Sequence, residues 1–383
     1  MNASEPADET FVSRLTPVGN AAIATLGLCG PAAYVAIRTL FHPSGQQSGQ
    51  LPEFPDRGRI WFGRLGEKTA DEVVVSIQSN QPAPWVEVHC HGGNEVVRML
   101  LDLFAAHGIR ECPWQHFQRI TLGDPYQALA ARALADALTA RTAAILLDQY
   151  QGALIRRLDE IRAAWARGDA EKAGRLLGEM AAHAELGRHL TTPWRVVVAG
   201  APNVGKSSLV NALAGYQRCV VAPSPGTTRD VVRTILAVDG WPIELADTAG
   251  LRDEALPLEL HGIDLARAAA RTADVCLWLV DGSTEPVWPD HAVKAGKLIV
   301  NKIDLPPAWD FSRASDAVCV SALTGEGMGD LCQALSRWLV PEPPAPGAGV
   351  PFTTELCDAV DLAWRLYRSG QMADSLRALE SMM

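Results

Sequence analysis

The run Arg195-Val-Val-Val-Ala199-Gly200-Ala-Pro-Asn203-Val204-Gly205-Lys206-Ser207-Ser208 constrains this chain more than any other segment. It is an apolar strand, then G-x-x-x-x-G-K-S, then a helical pattern carried by Leu209, Leu213 and Ala214. In that order the glycines let backbone N–H groups curl round phosphate oxygens, and the helix N-terminus adds partial positive charge. Lys206 is then expected at the β- and γ-phosphates and the Ser207 hydroxyl on Mg²⁺, with Val204, Gly205 and Ser208 completing the cradle. Alternation of strand and helix patterns from Trp194 to about Val340 gives an α/β class around this loop.

A second motif decides the base. Asn301-Lys302-Ile303-Asp304 follows the apolar run Lys297 to Val300. A carboxylate at Asp304 can accept two N–H bonds from guanine, whereas adenine would leave it unpaired. Ser321-Ala322-Leu323, after the run Ala317 to Val320, fits the loop that backs the base. The expected ligand pair is therefore GTP and GDP, and ATP is disfavoured.

Two further segments fall between these motifs. Asp247-Thr248-Ala249-Gly250 follows the run Ile243 to Ala246. There Asp247 is expected to hold Mg²⁺ through water and the Gly250 N–H to face the γ-phosphate. Pro225-Gly226-Thr227-Thr228-Arg229-Asp230 precedes it, and Thr228 is expected as the second hydroxyl on Mg²⁺, beside Thr227. Both loops would be ordered by the γ-phosphate and released after hydrolysis. Leu251 stands where many GTPases carry a glutamine that orients the attacking water, so another group must do that work. Asp253, Glu254 and Glu259 are the nearby carboxylates.

The remaining sequence reads as three more zones. Residues 1–120 form a small α/β domain, with strand-like runs at Val73 to Ile77 and Trp85 to His89 and an amphipathic stretch from Glu95 to His107. Residues 121–192 are helical, with a break at Gly168-Asp169, and 352–383 return to a helical pattern. The nucleotide-binding part, 193–341, is thus expected to be inserted in a helical domain, followed by a Pro-rich, semi-rigid linker at 342–351. The eight cysteines lack a C-x-x-C pair and read as reduced packing residues. No apolar run approaches the roughly 18 to 20 residues of a membrane span, and Met1 to Thr10 is polar and acidic. A cytoplasmic chain with no membrane association is expected. The net charge of -10 argues against a broad non-specific nucleic-acid surface, and DNA is not an expected partner. His89, Cys90 and His91 suggest a metal site, but alternation puts only His89 and His91 on one face; a turn ahead of a helix from about Asn94 is expected instead.

Gly-x-Pro-Asn-x-Gly-Lys-Ser-Ser, Pro-Gly-Thr-Thr-Arg-Asp and Asp-Thr-Ala-Gly-Leu-Arg together resemble the TrmE–Era–EngA group of GTPases. Thr16-Pro17, Glu87-Val-His-Cys-His91-Gly92-Gly93 and the inserted order narrow the resemblance to the MnmE (TrmE) family, the tRNA modification GTPases. The fold this implies is a P-loop GTPase (Ras-like) domain inserted in a helical domain and preceded by a small α/β domain. The resemblance also implies GTP hydrolysis, a homodimer, and tRNA wobble-uridine modification with a flavoprotein partner. It implies that Asn203 binds potassium, whose charge replaces an arginine finger, with carbonyls before Gly226 completing the site. Glu259, in Glu259-Leu-His-Gly262-Ile263, matches the glutamate that polarises water.

The sequence also departs from the family pattern. It ends Leu379-Glu-Ser-Met-Met383, without the family's terminal Cys-x-Gly-Lys, and Cys357 does not match that cysteine. The loop after Thr16-Pro17 reads Gly19-Asn-Ala-Ala-Ile-Ala-Thr-Leu-Gly27 and lacks the family's arginines, which bears on folate binding. Cys112-Pro-Trp-Gln-His-Phe117 replaces the family's Pro-Gly-Glu-Phe. Two readings stay open: a tRNA modification GTPase, or a GTPase repurposed for regulation or for ribosome or RNA assembly.

Overall fold

The computed structural model describes residues 9–19, 21–44, 51–53, 55–66, 69–80, 83–122, 124–216, 234–247, 273–289, 296–380 and 382. The chain divides into two compact units, Met1–Ala128 and Leu129–Met383.

The first unit is built on seven strands: β1 (Phe11–Arg14), β2 (Ile23–Cys29), β3 (Phe41–Pro43), β4 (Ile60–Gly66), β5 (Ala70–Ser79), β6 (Trp85–His91) and β7 (Arg110–Glu111). Their order is β3-β4-β5-β6-β2-β1-β7, antiparallel except for the parallel pair of β1 and β7. Strand alternation sorts the side chains to two faces. Leu26, Leu28, Val75, Val86 and Val88 pack against Ile37 and Leu40 of α1 (Ala33–Leu40) and Leu100 and Phe104 of α2 (Asn94–Ala106). The opposite face receives Phe117 of α3 (Trp114–Leu122), which packs with Phe11 and Trp85. Gly27 makes that approach possible, since a Cβ there would lie 2.6 Å from the Phe117 ring.

Two expectations are corrected in this unit. Ile23 to Gly27, read as loop, is strand, because it pairs with β6 from Ile23↔His91 to Cys29↔Trp85. His91 extends β6 rather than beginning a turn, His89 lies in the strand as expected, and each has an acidic neighbour. His91 Nδ1 is 2.7 Å from Asp71 Oδ1, and His89 Nε2 is 3.7 Å from Glu87 Oε2. Burial pushes the Glu87 carboxyl up, against the opposing influence of His89 and Gln78.

The second unit combines helices with a six-stranded sheet. Before the sheet come α4 (Pro125–Ala135), α5 (Ala140–Tyr150), α6 (Ala153–Ala166), α7 (Ala170–Ala182) and α8 (Ala184–Arg188). The break at Gly168-Asp169 lies between α6 and α7, where the Asp169 side chain accepts from Lys172 N and caps α7. The sheet consists of β8 (Trp194–Gly200), β9 (Thr234–Val238), β10 (Trp241–Asp247), β11 (Val275–Asp281), β12 (Gly296–Asn301) and β13 (Val318–Cys319). Its order is β13-β12-β11-β8-β10-β9, parallel apart from the edge strand β9. Val196 to Ala199 and the whole of β11 are buried, as a parallel sheet covered on both faces requires.

Two more helices follow α10 (Met328–Leu339) after the sheet: α11 (Thr354–Arg368) and α12 (Met372–Glu380). α11 packs on α7, α8 and α12, so the sheet is an insertion within the helical layer. Gly174 and Gly178 of α7 receive the stacked rings of Tyr367 and Trp364, whose centroids lie 5.6 Å apart. The Pro-rich segment between α10 and α11 is pinned rather than merely stiff. Gln149, buried on α5, donates to Ala348 O at 3.0 Å and accepts from Val350 N at 3.1 Å, as a neighbouring strand would. Asp148 accepts from Gly347 N at 2.8 Å.

Candidate nucleotide site

The site gathers at the C-terminal ends of β8, β11, β12 and β13, where open parallel sheets bind their ligands. β8 delivers the chain into Gly200, which has φ +144° and whose added Cβ would lie 2.5 Å from Leu279 O of β11. The loop then turns through Asn203 at φ +64° and Gly205 at φ +98° into α9 (Lys206–Tyr216). Asparagine is one of the few residues that tolerates such a left-handed backbone. Lys206 begins the helix, and its Nζ donates to Gly200 O at 3.1 Å and Ala201 O at 2.9 Å, so the ammonium is held over the loop it would serve. Ser207 and Ser208 are exposed in the first helical turn, and Val204 is buried.

The second loop is tied to the first. Asn301, at the end of β12, is 2% exposed. Its Nδ2 donates to Val204 O at 2.9 Å, and its Oδ1 accepts from Ala322 N at 3.0 Å. Gly205 permits this crossing, because a Cβ there would sit within 2.3 Å of Asn301 Nδ2. Lys302, at φ +66°, projects away from the strand and its Nζ meets Asp281 Oδ2 at 2.6 Å. Asp304 is exposed, and its Oδ1 accepts from the buried Ser321 hydroxyl at 2.6 Å. The arrangement presents a phosphate loop and an exposed carboxylate for a base edge on one rim of the sheet.

Asp281 was not singled out by the sequence. It is 6% exposed at the end of β11 and also accepts from Ser283 N and Oγ at 2.8 and 2.7 Å. Burial alone would raise its pKa, but the hydrogen bonds from Lys302 and Ser283 hold the carboxyl below the usual range. It fixes the lysine of the base loop. Its signal in the sequence was a charged residue ending an otherwise apolar strand, Val275 to Asp281.

Asp247 ends β10, parallel to Val198 of β8. Ser207 stands in the first turn of α9, and the side chain of Asp247 lies outside the described residues. Thr227, Thr228, Gly250 and Glu259 lie outside the described residues, as do Gly226, Leu251, Asp253 and Glu254.

Comparison with known proteins extends this geometry. The family of 50S ribosome-binding GTPases (MMR_HSR1) matches residues 195–304. The tRNA modification GTPase MnmE of Phenylobacterium zucineum is 32% identical, over 88% of this chain and 85% of the relative. The chain belongs to the MnmE family. The MnmE of Nitratidesulfovibrio vulgaris is 31% identical over 96% of this chain and 89% of its own length. Among solved structures, Aquifex aeolicus Era bound to GDP.AlF4- is 26% identical over 39% of this chain and 57% of that chain, with a TM-score of 0.28. As a GTPase of the MnmE family, this protein binds GTP with Mg²⁺ and hydrolyses it to GDP and phosphate. Among the described residues no helix is long and apolar enough to cross a membrane.

Proposed function

We propose that this MnmE-family chain couples GTP hydrolysis to modification of the wobble uridine of tRNA, acting as a homodimer with a flavoprotein partner. The observation that carries the reading is the extent of the match: 88% of this chain, well beyond the nucleotide-binding part, aligns with a tRNA modification GTPase.

In this reading Lys206 neutralises the β- and γ-phosphates, and Ser207, Thr228 and Asp247 hold Mg²⁺, which supplies charge stabilisation for phosphoryl transfer. Val204, Gly205, Ser208, Thr227 and Gly250 line the phosphates through backbone and hydroxyl groups. Asp304 reads guanine, while Asn301, Lys302, Ser321 and Ala322 shape the loops that hold it. Asn203 contributes to a potassium site, and Glu259 positions the attacking water.

The experiment is nucleoside mass spectrometry of tRNA from a strain lacking this gene and any full-length relative. The reading expects loss of the modified wobble uridine, restored by the intact gene and not by Lys206→Ala. One observation favours the alternative of a repurposed regulatory or assembly GTPase: the segment from Gly19 to Gly27 lacks the arginines that the family's folate loop carries. An unchanged nucleoside profile in that strain would select the alternative.

A further inference from the structure

We propose a divalent transition-metal site, zinc being the ion to test first, formed by Glu185, His189 and Asp274 where the helical layer meets the base of the sheet. Glu185 lies on α8 and His189 follows its last turn, four residues on, so both side chains share one face. Asp274 comes from the other side of the junction, immediately before β11.

The three candidate ligand atoms all lie within 4.8 Å of one another. His189 Nε2 is 3.7 Å from Glu185 Oε1 and 3.8 Å from Asp274 Oδ1, too far for either to be a hydrogen bond. Bonds of about 2.0–2.1 Å in a tetrahedral site put neighbouring ligand atoms about 3.4 Å apart. The two histidine distances are within a few tenths of an ångström of that spacing, and the two carboxylates, within 4.8 Å of each other, would close by up to about 1.4 Å on an ion.

Each group is aimed by a second contact. Arg188 holds the other oxygen of Glu185, at 3.3 Å. Arg195 N donates to the other oxygen of Asp274 at 2.6 Å, and Asp274 N returns a bond to Arg195 O at 2.9 Å. The His189 ring stacks on Trp194, with centroids 3.7 Å apart and planes 18° apart. The two held carboxylates thus point their remaining oxygens at one nitrogen. One neutral N–H could serve only one of them, whereas a cation serves both.

One imidazole and two carboxylates suit zinc, manganese or cobalt rather than the thiophilic ions. His189 Nδ1 is buried with no hydrogen-bond partner among the described residues. Zinc-bound histidines usually donate through that second nitrogen, so binding is expected to be weaker than at sites built with such a partner. A bound ion would clamp α8 to the residue that precedes β11.

The test titrates the full chain, loaded with GDP and Mg²⁺, with zinc sulfate by calorimetry, and with cobalt(II) by visible absorption. Wild type should take up one more equivalent of zinc than Glu185→Gln or His189→Gln, or bind that equivalent at least about tenfold more tightly. Its melting midpoint should rise with zinc more than theirs, and the cobalt bands should need His189. Glu185 has an exposed side chain, so its glutamine variant should keep the fold, and unchanged GTP turnover in that variant shows intact protein. Zinc uptake equal in all three proteins, or no uptake by wild type, would overturn the site.

Discussion

The side chain of Asn301 bridges the two nucleotide loops: Nδ2 donates to Val204 O at 2.9 Å while Oδ1 accepts from Ala322 N at 3.0 Å. Residue 301 therefore determines where the phosphate loop stands relative to the base loop. Asn301→Ala would leave a buried carbonyl unpaired and free Ala322. Two hydrogen bonds at about 1 kcal/mol each make about 2 kcal/mol, or roughly thirtyfold weaker GDP binding by calorimetry. Affinity within twofold of wild type would return Asn301 to ordinary packing.

Potassium should accelerate GTP turnover relative to sodium at equal ionic strength, since Asn203 is read as part of a potassium site. Equal rates in the two salts would remove that role. Glu259→Ala should lower kcat about 100-fold or more, in the range of a lost general acid–base contribution, with GDP affinity near normal. A wild-type rate would make Glu259 a surface charge.

The α7–α11 contact yields a stability prediction far from the nucleotide. A Cβ at Gly174 would clash with Cζ and the hydroxyl oxygen of Tyr367, whose hydroxyl donates to Ala170 O at 3.0 Å. Gly174→Ala should cost about 1–3 kcal/mol, as overpacking does, and lower the urea midpoint. Combining it with Tyr367→Ala should restore part of the loss, whereas purely additive effects would show that the two residues do not meet.

His183 links stability to pH. Burial lowers its pKa, partly offset by Glu342, while Arg157 lowers it further and Glu179 opposes. A depressed folded-state value means that the folded chain binds fewer protons than the unfolded one there. This contribution is complete above the unfolded histidine value, about 6.5, and is lost as pH falls through the folded value. Thermal midpoints should drop from pH 7 towards pH 5.5 in wild type, and less in His183→Gln. Parallel curves for the two proteins would show that His183 does not carry the dependence.

The phosphate loop and the guanine motif were legible because each is a contiguous run whose chemistry needs adjacent residues. The Asp281–Lys302 pair was not, since Asp281 ends β11 and Lys302 follows the end of β12, and only the parallel register of those strands brings them together. The pinning of the Pro-rich segment by Gln149 likewise joins residues about 200 apart in the chain. The tight turn Val238-Asp239-Gly240-Trp241 carries a local signal of its own, the Asp-Gly pair. Asp239 and Gly240 have φ +49° and +78°, the positive pair that an Asp-Gly hairpin adopts. In the N-terminal unit, Ile23 to Gly27 looked like loop because its strand character depends on β1 and β6 on either side.

The most direct test compares phosphate release from GTP, ATP and XTP by the full chain and by Asp304→Asn. Guanine offers two N–H donors to a carboxylate, whereas xanthine carries a carbonyl in place of the amino group and can accept from an asparagine amide. Wild type should prefer GTP over ATP by at least about 100-fold in kcat/KM, and Asp304→Asn should lose GTP turnover and gain XTP turnover. Comparable ATP and GTP rates in wild type, or an Asp304→Asn protein that still prefers GTP, would contradict the account.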